Sequence, residues 1–159
     1  MSFKTRGFTL LELVAVLIIV GIVSSIVFVS WPGNTTNLDG QAQQLANDLR
    51  YVQSLAMTNE QSYRVNFSAT QYTFTESNGT TAVPHPAAGG SNVITLGAGM
   101  VLSTANLPNS YILYDKNGIP YTNTSGTKLA VQADVILTTT SSASTVSIEP
   151  ETGTVLIPV

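Results

Sequence analysis

The chain has 159 residues, 9% charged side chains, a formal net charge of −3 and no cysteine. Without cysteine there are no disulfides, no thiolate metal site and no cysteine nucleophile. The few, slightly acidic charges weigh against a strongly basic nucleic-acid binder.

The chain opens with Lys4 and Arg6, reaches Gly7, and then runs apolar from Phe8 to Val29. The only strongly polar side chain in that run is Glu12; Thr9, Ser24 and Ser25 are small hydroxyls that a helix absorbs. At ~1.5 Å per residue the 22-residue run covers the ~30 Å hydrocarbon layer of a membrane. A carboxylate inside such a span costs on the order of 2.5–3.5 kcal/mol, so it marks a functional position that calls for a counter-charge. Cleavage between Gly7 and Phe8 would create one. The new α-ammonium would lie four residues before Glu12, within one helical turn, and a staggered neighbour's ammonium could serve instead. Two ordinary readings compete: a secretory signal cut near Val23-Ser24-Ser25, and a plain signal anchor. Against the secretory signal stand the early carboxylate and the continuation of the apolar run through Ile26 to Val29. Charge sets orientation. Lys4 and Arg6 precede the run and no cation follows until Arg50, which places the leader in the cytoplasm and the chain after about Ser30 outside. Loss of residues 1–7 would leave four cations against nine acids, a net of −5.

The stretch Gly7-Phe8-Thr9-Leu10-Leu11-Glu12-Leu13 resembles the class III signal of type IV pilins and type II secretion pseudopilins. The resemblance implies that a prepilin peptidase cuts after Gly7 and N-methylates Phe8. It also implies that Glu12, the fifth mature residue, serves assembly with other pilins or pseudopilins.

Trp31-Pro32-Gly33 ends the membrane run: Pro32 lacks an N–H, and the Trp31 ring suits the membrane–water boundary. Asn34 to Asn37 then reads as a short polar break or kink, with Asn37 or Asp39 capping a second helix. From Leu38 the apolar positions Ala42, Leu45, Ala46, Leu49, Val52 and Ala56 recur at helical spacing, with Gln43, Asn47, Asp48, Arg50 and Gln53 on the other side. This predicts a helix to about Met57, lying on a sheet. The period then changes to two. Tyr63, Val65 and Phe67, then Tyr72 and Phe74, predict a hairpin around Ser68–Gln71. Residues 77–92, with Asn78-Gly79, Pro84-His85-Pro86 and Gly89-Gly90, read as an exposed loop. Further strands are expected at 93–96, 100–103, 111–114, 119–122, 129–137, 144–149 and 154–158, with Asn117-Gly118 as a hairpin turn.

A leader, one long N-terminal helix and then a β domain is the type IV pilin-like architecture. The expected fold is therefore α+β, a helix that is half membrane span and half amphipathic, packed on an antiparallel β-sheet domain. The expected boundaries are 1–7 leader, 8–31 transmembrane and assembly helix, 32–59 amphipathic helix, and 60–159 β-rich periplasmic domain. Gln41–Ala56, Tyr63–Phe67, Tyr72–Phe74, the Asp115–Gly118 turn and the Val146–Ile148/Gly153–Val155 pair are similar to the GspH/FimT group of minor pseudopilins and minor pilins. The missing cysteines fit that group better than the many major pilins with a C-terminal disulfide loop.

No catalytic constellation emerges, and the sequence predicts no enzyme and no cofactor. His85 stands between two prolines and reads as an exposed loop residue rather than a base or ligand. There is no Gly-x-Ser-x-Gly, no Ser-x-x-Lys and no phosphate loop. Glu149 and Glu151 offer too few oxygens for Ca²⁺ and read as a solvated hairpin tip. Beyond Ser30 four cations face eight acids, which argues against DNA. Four Asn-x-Ser/Thr triplets are close to what this Thr- and Ser-rich composition produces by chance. The expected function is a structural subunit of a type II secretion pseudopilus or a type IV (including MSHA-type) pilus, made as a single-span inner-membrane protein. The alternative is a membrane-tethered extracytoplasmic module that binds DNA or glycan and never assembles.

Overall fold

The computed structural model describes residues 10–29 and 34–158, which fall into two units, 1–33 and 34–159. In the first unit helix α1 runs from Leu10 to Val29, twenty residues without proline. The Trp31-Pro32-Gly33 break lies outside the described residues.

The second unit opens with α2, Asn34–Asn59. The expected break over Asn34–Asn37 is not there, and the helix starts before either expected cap. Polarity alone does not stop a helix, and nothing from Asn34 to Leu38 forbids helical backbone angles. The predicted apolar stripe is the buried one: Leu38, Ala42, Leu45, Ala46, Leu49, Val52 and Ala56 are all essentially inaccessible. Burying each Leu or Val contributes on the order of 1.5–3 kcal/mol. The helix ends two residues beyond Met57, in a left-handed cap. Glu60 takes φ of 53°, and the Gln61 amide donates back to the Ala56 carbonyl at 3.2 Å.

Among the described residues nine strands follow, in two antiparallel sheets. The first sheet contains β1 (Tyr63–Ser68), β2 (Gln71–Glu76), β3 (Val93–Thr95), β5 (Tyr111–Tyr114) and β6 (Pro120–Tyr121), in the order β3-β2-β1-β5-β6. The second contains β4 (Val101–Ala105), β7 (Ala133–Thr138), β8 (Ala143–Ile148) and β9 (Val155–Leu156), in the order β4-β7-β8-β9. Every expected strand has a counterpart, but the division into two sheets was not foreseen. It explains why the strand expected from Leu129 begins only at Ala133. The Leu129 amide bonds the Pro120 carbonyl and Lys128 bridges to Tyr121, so this segment still belongs to the first sheet. Residues 130–132 then cross to the second.

Helix α2 touches β1 and β5 of one sheet and β7, β8 and β9 of the other. Its Gln53 joins two hairpin ends at once, because Nε2 donates to the Gly118 carbonyl at 2.8 Å and to the Thr152 carbonyl at 2.7 Å. Arg50 donates to the Val155 carbonyl at 2.7 Å, which occupies an acceptor of edge strand β9. Gly118 lies in the predicted Asn117-Gly118 turn with φ of 77°, and the Asp115 carboxylate accepts the amides of Asn117 and Ile119.

Gly153, with φ of 67°, sits where these elements converge. A Cβ there would stand 2.7 Å from Gln53 Nε2 and 2.9 Å from the Gly118 carbonyl oxygen. Gly153→Ala is therefore expected to destabilise the protein by about 2–4 kcal/mol in urea unfolding, from left-handed strain plus overpacking. Glu60→Gly, at an exposed cap in the same backbone region, should instead stabilise by up to about 1 kcal/mol.

Candidate functional site

Two features bear on function. The first is α1 itself. From Leu10 to Val20 every side chain is exposed, including Leu10 at 82% and Leu11 at 80%, so the helix has no polar face to give to water. An all-round apolar helix requires lipid or other helices around it. Glu12 lies in its first turn, where the helix dipole favours a carboxylate by roughly 0.3–1 kcal/mol. Gly7 and Phe8, the expected cleavage and methylation positions, lie outside the described residues. Side chains of α1 are described only to Val20, and among the described residues no helix is long and apolar enough to cross a membrane.

The second feature overturns an expectation. His85 is not an exposed loop residue; it is 3% exposed and packed under α2. Its ring stacks on Phe74 with centroids 4.2 Å apart and 16° between planes, and it meets the edge of Tyr51 at 4.5 Å. Its Nε2 lies 3.6 Å from Oδ1 of Asp48. Asp48, read from sequence as lying on the helix's polar side, is 4% exposed, and its Oδ2 accepts a 2.7 Å hydrogen bond from the Tyr72 hydroxyl. The flanking prolines hold the local chain extended, while a tight turn through Pro86–Ala88 brings the Gly90 amide back to the His85 carbonyl. The segment 77–92 is thus pinned at its middle by a buried ring rather than loose in water.

Burial dominates the electrostatics of this cluster. It pushes the Asp48 carboxyl above its usual range, opposed by the Tyr72 hydrogen bond and by His85. It lowers His85, opposed by the Asp48 charge, and raises Tyr72, which stays a protonated donor. An acid, a histidine and a tyrosine so close could move protons, but the cluster is closed to substrate and is better read as a joint between helix, sheet and loop. The sequence held one signal for it: Asp48 is three residues after Leu45 and four before Val52, which puts it beside the apolar stripe. Nothing local marked His85, because its partners come from distant segments.

The other sequence candidates stay apart from this joint. Glu149 and Glu151 occupy the β8–β9 turn, and among the described residues no group of three His, Cys, Asp or Glu could hold a metal ion. The four cations of residues 34–159 sit on separate elements. Arg50 is tied to Asn47 and β9, while Arg64 lies over the Tyr111 ring.

With this geometry in place, comparison with known proteins identifies the family and similar folds. Residues 2–28 match the prokaryotic N-terminal methylation motif, and residues 41–153 match the type II transport protein GspH family. The minor pseudopilin EpsH from the type 2 secretion system of Vibrio cholerae has a similar fold. Its TM-score is 0.58 at 14% identity, over 77% of this chain and 97% of that one. The type IV minor pilin FimU of Pseudomonas aeruginosa is similar too, with TM-score 0.57 at 12% identity, over 79% and 91%. No curated protein matches by sequence.

The joint makes a sign-specific prediction. A carboxyl held above its unfolded pKa contributes stability that is present below about 3.8 and lost as pH rises through the folded value. A histidine held below 6.5 contributes stability above that pH and loses it as pH falls. Asp48→Asn keeps an acceptor for Tyr72 but removes the buried charge, so it should stabilise the protein near pH 7. That gain should be smaller at a second, more acidic pH, because acidification favours the protonated wild-type carboxyl and, in the variant, His85 lacks its counter-charge. Urea unfolding of both proteins at the two pH values checks this. A substitution that destabilises at pH 7 would contradict it.

Proposed function

The chain belongs to the type II transport protein GspH family, and from that premise we propose how its N-terminal helix carries it into a filament. It is a structural subunit of the pilin and pseudopilin type, carrying the N-terminal methylation motif and a GspH domain. In the proposed sequence of events a prepilin peptidase cuts between Gly7 and Phe8 and methylates the Phe8 amine. Before assembly the apolar run from Phe8 to Val29 crosses the inner membrane once, with residues 1–7 in the cytoplasm and residues 34–159 in the periplasm. The length of that run and the basic residues before it support this orientation.

The observation that carries the reading is the all-round apolar surface of α1 interrupted by Glu12 in its first turn. Moving such a helix from lipid to a bundle of like helices needs little new desolvation, since both surroundings are apolar. Within such a bundle a carboxylate specifies register at a cost in stability, because its counter-charge must arrive at one height. The methylated ammonium of a neighbouring subunit supplies it. The subunit does no catalysis in this scheme and needs neither metal nor cofactor. With a net charge of −4 beyond Ser30, it does not take nucleic acid as its partner.

Glu12→Val separates assembly from anchoring. The variant should be cut normally and stay in the membrane, while cross-linking to neighbouring pilins falls by at least about tenfold, the factor that ~1.4 kcal/mol of lost pairing produces. Undiminished cross-linking would refute the register role.

A further inference from the structure

The face of the first sheet turned away from α2 carries more apolar surface than the core requires. Along β1, Tyr63, Val65 and Phe67 enter the core, so Arg64 and Asn66 point the other way. The register sets Leu113 opposite Arg64, Tyr111 opposite Asn66, and Tyr121 beside Leu113. Leu113 and Tyr111 are buried, yet neither belongs to the core cluster. Tyr111 is covered by Arg64, whose guanidinium carbon lies 4.0 Å from the ring centroid. Leu113 instead forms the floor of an open cleft of about 600 Å³, with Tyr121, Ser62, Ser77, Asp115 and Thr124 around it. That size is usual for a small-ligand site.

The walls are preorganised. Asn78 accepts the amides of Thr80 and Thr81, and Asn123 accepts the amide of Thr127, so each carboxamide fixes its own turn. Oδ1 of Asp115 is likewise committed to two backbone amides, while Oδ2 has only the Asn117 side-chain amide at 3.4 Å. Among the described residues the hydroxyls of Ser62, Ser77 and Tyr121 make no hydrogen bond. The cleft therefore offers a small apolar floor, a carboxylate oxygen with spare capacity and several idle hydroxyls.

That inventory selects a ligand class. Among the described residues no Lys or Arg lines the cleft, so phosphate and carboxylate ligands find no counter-charge in its walls. One carboxylate supplies too few oxygens for Ca²⁺. A floor of two side chains is too small for an acyl chain. A sugar ring fits, with its C–H face against Leu113 and Tyr121 and its hydroxyls towards the Asp115 carboxylate and the free side-chain hydroxyls. We propose that this cleft is a saccharide-binding site for a neutral glycan, on the face of the domain opposite α2.

Saturation-transfer NMR tests it, with the full chain in a zwitterionic detergent that has no sugar headgroup and with maltotriose, cellotriose and chitotriose as probes. At least one trisaccharide should bind with a Kd on the order of 1 mM or tighter. Asp115→Asn keeps the turn acceptor but removes the charge, and should weaken binding at least about fivefold. Thr124→Lys places bulk at an exposed wall position and should abolish binding. Equal thermal melting of the variants shows that the fold is intact. No binding of any of the three at about 10 mM, or binding unchanged in either variant, overturns the proposal.

Discussion

Everything in the second unit depends on one shared surface, the apolar stripe of α2. The two sheets are not a sandwich closed on itself; both lay strands against the same helix. Removing α2 would uncover Val65 and Ile112 of one sheet together with Val146 and Ile148 of the other. Gln53 and Arg50, on the flank of the same helix, convert that non-directional contact into a defined orientation by bonding the carbonyls of Gly118, Thr152 and Val155. Apolar burial supplies most of the free energy, and these hydrogen bonds select one arrangement among several that would bury similar area.

The Asp48–His85 pair sits midway along that same stripe and has a different consequence. A buried acid beside a buried histidine is a poor stabiliser compared with an apolar pair of similar volume. What it provides is an anchor at the middle of residues 77–92, between the Ala82–Thr75 bridge and Val83–Phe74 bond on one side and the Phe74–Asn92 bond on the other. Phe74 stacked on His85 and Tyr72 bonded to Asp48 come from one strand, so the loop is tied to the hairpin from which it departs.

Much of this was legible in the sequence, wherever the signal is local and periodic. The Leu38-to-Ala56 stripe, the Tyr63–Phe74 hairpin and the Asn117-Gly118 turn follow from side-chain period and turn chemistry, and the structure has each of them. The leader motif was legible because glycine, aromatic and carboxylate stand at fixed spacing ahead of an apolar run. What failed depended on distant contacts. The prolines around His85 correctly signal irregular backbone, but a loop residue's burial is set by what folds over it, here Tyr51 and Phe74. The division into two sheets depends on where the chain crosses after Leu129, and alternation alone does not encode that choice. Asn34-Thr-Thr illustrates the opposite case: a polar run suggests a break, yet no proline or glycine within it enforces one and the helix runs through.

Family membership, the methylation motif and the apolar α1 support the life history proposed above, in which the chain is anchored first in lipid and then packed among like helices. The proposed history begins with cleavage and methylation at the N-terminus. The most direct test is the intact mass and N-terminal sequence of the full chain, expressed with and without a prepilin peptidase. The account predicts a peptidase-dependent start at Phe8 carrying one added methyl group. A start at Met1 in both preparations, or a start near Ile26, would contradict it.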